Sequence, residues 1–285
     1  MKRFNYFIFC ALFSASTIVA TSCSDDDDEE NVETAPVENT TSENVSAING
    51  QFSVSETKKV TFGSGNVQYN ASTKTWRFAE HQYDIVGADN AKIGDADYAG
   101  YIDLFGWGTG ENPTLSIADD NKYNEFCDWG KNFDDGKTWY TLTKEEWEYL
   151  KNTREDADKK YAVAEVAGVA GLIVLSDVFQ LPNGLTFNAG VATDGSHDKE
   201  LFKTINNYTA EDWAKIEAAG ALFLPVAGYR NDTEIVDADS WGNYWAVQDW
   251  AKHIGDYLGF TSDAFYLNAE HLSFGLSVRL ARVAE

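Results

Sequence analysis

The chain has 285 residues, enough for one large domain or two small ones, and its 44% apolar and 14% aromatic content can fill a core. A formal net charge of −24 repels phosphate backbones and argues against nucleic acid as a partner. The same charge favours solubility and spacing from other anionic surfaces.

Lys2 and Arg3 precede an apolar run over residues 4–20 that is too short to span a bilayer comfortably. The run ends in Ala20-Thr21-Ser22-Cys23. That pattern resembles the lipobox of bacterial lipoproteins, where cleavage leaves the cysteine N-terminal and lipidated. An ordinary secretory signal with an incidental cysteine is the alternative. Residues 1–22 are therefore expected to be a lipoprotein signal peptide, and Cys23 the acylated (palmitate-bearing) residue. Ser24, Asp25, Asp26, Asp27 and Asp28 then open an acidic run. Read plainly, it is a solvated, self-repelling tether. It also resembles the export signal that sends Bacteroidetes lipoproteins to the outer face of the outer membrane. A lipid anchor holds a protein to a membrane without a spanning helix.

Residues 23–48 lack the apolar density to pack and read as the lipidated cysteine plus an acidic, disordered linker. One domain over residues 49–285 follows. Cys10 leaves with the signal, so Cys127 is the only thiol left in that domain, where it reads as a small buried hydrophobe with no base beside it.

Alternating apolar and polar residues between 51 and 86 predict a meander or a pair of hairpins. Residues 87–136 read as a long loop pinned by aromatics, among them Tyr98, Phe105, Trp107, Trp129 and Phe133. Gly106-Trp-Gly-Thr-Gly110 lacks the strand-to-helix setting of a phosphate loop. Thr143 with Glu146 makes a capping box, and Trp147 and Leu150 fall on one face of a short helix. Thr209 caps a second helix, with Trp213 and Ile216 facing inward and Gly220 stopping it. Short strands are expected at 161–166, 171–175 and 185–187, with a turn at 181–184.

Four apolar segments at 219–230, 241–247, 264–268 and 274–283 read as strands separated by polar loops. In the last, Leu276, Val278 and Leu280 alternate with Ser277, Arg279 and Ala281, which predicts one buried face.

The series Trp139-Tyr-Thr-Leu-Thr-Lys-Glu-Glu-Trp-Glu-Tyr-Leu, Ala221-Leu-Phe-Leu-Pro-Val-Ala-Gly-Tyr-Arg, Tyr244-Trp245, Ala264-Phe-Tyr-Leu and Gly275-Leu-Ser-Val-Arg-Leu resembles the Fibrobacter-type major paralogous domain. That group looks like the non-catalytic end of the formylglycine-generating enzymes, whose fold is similar to C-type lectins. The resemblance implies an α+β, C-type-lectin-like domain with two short helices and irregular antiparallel sheets. The family's enzymes use a late cysteine pair, and no cysteine follows Cys127, so no enzyme activity is expected. The sugar-site motifs of calcium-dependent lectins, Glu-Pro-Asn or Gln-Pro-Asp with Trp-Asn-Asp, are absent too. Some relatives display variable residues in the loop before the last strand, here 245–274.

Gly195-Ser196-His197-Asp198 is a run of neighbours that cannot stack into a relay, and it reads as an exposed loop. Asp119-Asp120-Asn121 and Asp134-Asp135 lack the spacing of a calcium loop; no cofactor is expected, with calcium the one alternative. The expected function is a surface-anchored, non-catalytic binding or adhesion lipoprotein that presents loops 231–274 to an extracellular glycan or protein. Candidate ligand residues are Asp249, Trp250, His253, Tyr257, Asn268 and His271, with Trp250 and Tyr257 exposed. Trp241 is a further stacking candidate, and Trp245 reads as core. The alternatives are a structural surface component and a carboxylate-dependent enzyme.

Overall fold

Alternating side chains build two hairpins where the described chain begins. A computed structural model of the protein describes residues 42–43 (backbone only), 46–116, 123, 125–133, 138–247 and 254–285, all within one compact unit, Asn39–Glu285. Cys23 and Ser24 to Asp28 lie outside the described residues, as do Asp119, Asp120, Asn121, Asp134 and Asp135. β1 (Ser42–Glu43) runs parallel to β5 (Thr75–Phe78). Ala47 bridges to Gly63, so backbone pairing starts before the expected domain boundary at 49. Such pairing needs no apolar side chains, which is why composition does not announce it. β2 (Phe52–Ser53) pairs with β3 (Lys59–Phe62), and β4 (Val67–Asn70) pairs with β5, giving the two expected hairpins.

The long stretch that follows is largely irregular and is pinned as expected. Phe105, Trp129 and Phe133 are buried, and Phe133 stacks on Phe78 at 4.4 Å. After β6 (Tyr140–Thr141), the capping box of α1 (Lys144–Glu148) is present in both directions. β7 (Tyr161–Val166) and β8 (Val169–Leu175) form a tight hairpin in which Ala167 and Gly168 both take positive φ. That turn twists in the sense of the strands it joins.

Residues 185–187 do not form the expected strand. β9 (Asn207–Tyr208) and a bridge from Gly190 occupy the outer edge of β7 instead, and Leu185 and Phe187 pack as loop side chains. A short unexpected helix, α2 (Phe202–Ile205), buries Phe202. α3 (Ala210–Ala218) is capped by Thr209 and followed by Gly220 at φ 98°, as expected.

β10 (Ala221–Pro225) joins β8, β7 and β9 in one sheet. Leu172, Val174, Leu222 and Leu224 face the first core with Phe52, Phe62 and Trp147. Ile173, Leu175 and Phe223 face the other way, against Trp213 and Ile216 of α3. A sheet buried on both faces explains the unbroken apolar runs at 172–175 and 221–226.

β11 (Tyr229–Asn231) and β12 (Glu234–Val236) form a hairpin. β13 (Gly242–Trp245), β14 (Ile254–Thr261) and β15 (Ala264–His271) form an antiparallel sheet. The region expected as loop before the last strand is therefore largely a long hairpin. Its β14 sequence carries Gly255, Gly259 and Asp256, which mask the strand pattern. Tyr244, Leu258 and Phe260 face the first core, while Trp245 and Tyr257 face the second, with Phe78, Phe105 and Trp129.

β16 (Leu280–Val283) lies between β3 and β6, completing a sheet as expected. Its approach differs from expectation: Ser277, Arg279 and Ala281 are as buried as Leu276, Val278 and Leu280. Arg279 is accommodated because Asn66, Gln82 and the Phe223 carbonyl accept its hydrogen bonds. The described protein is α+β, with few helices and several antiparallel sheets. Among the described residues no helix is long and apolar enough to cross a membrane.

Candidate functional site

A pocket of about 140 Å³ opens between the β11–β12 hairpin and the β13–β15 sheet. The period-2 alternation of strands puts Asn243, Tyr257 and Glu270 on one face of that sheet. Phe274 and Leu276 reach the same place because the 275 backbone pairs with β11: Arg230 and Gly275 exchange both N–H···O bonds at 2.8 Å. This seats the Tyr229 ring on the Phe274 ring, with centroids 5.6 Å apart and planes 24° from parallel. Trp241 and Asp237 complete the lining. They are held by a turn in which Asp237 takes φ 53° and its carbonyl accepts from Ser240 and Trp241. Gly228, at φ 66°, packs against the same turn. A Cβ there would lie 2.1 Å from the Val236 carbonyl oxygen, and the Gly228 amide donates to Trp241. Glycine is required at such a position.

The pocket is aromatic and anionic. Burial raises the Tyr229 pKa most, and the charges of Asp237, Glu270 and Glu234 raise it further. Burial also raises Tyr257, with Glu270 adding to it while hydrogen bonds to Tyr266 and Asn268 pull the other way. Glu270 therefore acts electrostatically on two of the pocket's rings. One of its oxygens accepts from the His271 amide at 2.9 Å. Among the described residues, neither Glu270 nor Asp237 has a cationic side chain as an ion-pair partner.

Beside the pocket, the ring of His197 packs edge-on against Trp241 at 6.0 Å and meets the Asp263 carboxylate. Burial raises the Asp263 pKa, but hydrogen bonds from His197 and Thr261 outweigh it and leave the group below its usual value. The run 195–198 is exposed, as expected, yet its histidine finds a carboxylate from a distant strand turn. Ser196 does not join them, because its hydroxyl donates to Asp194 at 2.9 Å. Nothing here aligns a nucleophile with a base.

A second cleft, of about 580 Å³, lies on residues 68–101 and 167–169. The Arg77 guanidinium lies 3.6 Å from the Tyr101 ring centroid, and its Nε donates to Gln68 at 2.9 Å. Asp89 accepts from Tyr98 at 2.7 Å and pairs with Lys92 at 2.9 Å. Arg77 with Gln68 and Asp89 with Tyr98 are thus engaged with one another.

Of the expected ligand residues, Asp249, Trp250 and His253 lie outside the described residues. Tyr257 is in the pocket wall, but at 6% exposure it is a buried strand residue and not an exposed loop one. Asn268 is exposed and sits directly across the strand pair from Tyr257. His271 is half-buried, hydrogen-bonded to Ser273, with its ring edge-on to Phe274. Trp245 is core, as read, and Tyr244 is core too.

Nothing in the sequence alone marks Tyr229, Asp237 or Phe274 as lining a pocket. Tyr229 and Phe274 lie inside segments read as strands, where an aromatic signals core, and only the 230–275 backbone pairing brings them together. Cys127 is half-buried, and Lys131 bonds to it. That is more polar than the buried setting expected, because the chain returns as a turn at 129–132. Among the described residues no cluster of His, Cys, Asp and Glu has the makings of a metal site.

No family model, no curated protein and no solved structure matches this chain.

Proposed function

We propose that the protein is a non-catalytic binding or adhesion lipoprotein, anchored through Cys23 and exposed on the outer membrane. Its α+β unit would be C-type-lectin-like in arrangement and would offer the pocket between β11 and β15 to an extracellular glycan or protein. The observation that carries this reading is the pocket itself: stacked Tyr229 and Phe274, with Trp241 and Tyr257, beside two carboxylates that have no cationic partner among the described residues. A concave, mostly aromatic site with a few convergent polar groups is the usual form of a recognition site. Among the described residues the two carboxyls that burial pushes upward, Asp103 and Asp128, both accept backbone hydrogen bonds inside the fold, which favours binding over carboxylate catalysis. The test is saturable binding of the full-length protein, in detergent and shown to be folded, to a broad array of glycans and extracellular proteins. The expected result is at least one saturable ligand. A blank array would overturn the receptor role and favour self-assembly at the cell surface.

A further inference from the structure

Resting on that reading, we infer that the pocket between β11 and β15 takes an organic cation, an ammonium or quaternary ammonium group carried by the ligand. Three observations converge. The walls are the rings of Tyr229, Trp241, Tyr257 and Phe274, and aromatic faces attract cations that have shed water. Asp237 and Glu270 stand at the same pocket without an ion-pair partner among the described residues, so they supply negative charge that no described cationic side chain neutralises. The volume, about 140 Å³, is well under the roughly 300–1,000 Å³ of a whole small-molecule site, and suits a single head group.

The alternatives fit less well. A hard metal ion wants six or more oxygen ligands, and two carboxylates among rings do not provide them. A neutral sugar gains from the rings but leaves both carboxylates uncompensated, and the described lining residues include no Lys or Arg to help. An anionic ligand meets Asp237, Glu270 and a chain of net charge −24. That same charge raises the local concentration of a cation and speeds its encounter.

The test titrates the folded full-length protein with choline, with its neutral isostere 3,3-dimethylbutan-1-ol and with methyl glucoside, followed by ligand-observed NMR. Choline is expected to bind saturably, and the isostere at least about tenfold more weakly, the difference being the charge–ring and charge–carboxylate terms. Glu270→Gln and the exposed Asp237→Asn should each weaken choline several-fold and leave the isostere unchanged. Equal binding of the two probes, no choline binding, or insensitivity of choline to both variants would each overturn the inference. An array ligand displaced by methyl glucoside but not by choline would overturn it too, while leaving the receptor role standing. A blank array with choline still bound would do the reverse.

Discussion

Arg279 and Asn66 are joined by two hydrogen bonds: Nε and Nη2 of the guanidinium both donate to the Asn66 side-chain oxygen, at 3.1 and 2.9 Å. The pair is buried, and no carboxylate lies among the hydrogen-bond partners of Arg279. Burial lowers the Arg279 pKa to about 10. The charge is held by neutral acceptors from Asn66 just before β4, from β10 and from the 80s loop, so one side chain ties together three segments far apart in sequence. Replacing it orphans several of those acceptors. Arg279→Met should destabilise the fold by about 2–4 kcal/mol in urea titration, and the Arg279→Met/Asn66→Leu double variant by less than the sum of the two singles. Strict additivity would mean that the two side chains are not coupled.

Asp103 sets a pH dependence. Its carboxylate is fully buried and accepts from Val86 and Asn90. Burial pushes its pKa up to about 6, above the unfolded value of about 3.9. The folded state therefore binds the proton more tightly than the unfolded state. This group's contribution to stability is fullest below about pH 4, declines as pH rises to about 6, and is flat above that. Across that window the loss is up to about 3 kcal/mol. Asp103→Asn should flatten the stability profile between pH 4 and 6, measured by urea unfolding at several pH values. An unchanged slope would show that Asp103 is ionised in the fold throughout.

Gly228 packs against the turn that carries Asp237 and Trp241. Gly228→Ala must place a Cβ against the Val236 carbonyl in a left-handed backbone. It should destabilise by at least about 2 kcal/mol and weaken ligand binding together with stability. By contrast, Thr143→Ala removes only the cap of α1, and should cost about 1 kcal/mol with binding unchanged.

Anchoring is tested separately from binding. Cys23→Ser should abolish incorporation of labelled palmitate and release the protein from the membrane fraction. Alanine replacement of Asp25 to Asp28 should leave the lipid in place but protect the protein from protease added to intact cells. Surface exposure unaffected by that replacement would reduce the acidic run to a tether.

Much of the fold is legible in the sequence because local chemistry decides it. Thr143 with Glu146, Thr209 with Gly220, and the buried runs around Leu172 and Leu222 announce their elements without tertiary help. Most of the pocket's lining falls within the stretch 231–274, and Trp241 and Tyr257 stand out in it, because an aromatic-rich stretch rich in polar residues is visible in one dimension. The pocket's other walls are not. Tyr229 and Phe274 meet only through the pairing of residue 230 with 275, and β14 is disguised by Gly255 and Gly259, whose missing side chains make room for Trp107 and Tyr266. Arg279 is hidden for the related reason that a polar residue in an alternating strand reads as solvent-facing until its buried acceptors are known.

The most direct test of the account compares two single variants against one array ligand. Trp241→Ala removes a wall of the β11–β15 pocket, and Tyr101→Ala removes the ring beneath Arg77 in the larger cleft. With both variants shown to be folded, the ligand's affinity should fall at least about tenfold in Trp241→Ala, the scale of losing a central aromatic contact, and hold within about twofold in Tyr101→Ala. The opposite pattern, loss with Tyr101→Ala and full binding by Trp241→Ala, would contradict the placement of recognition between β11 and β15.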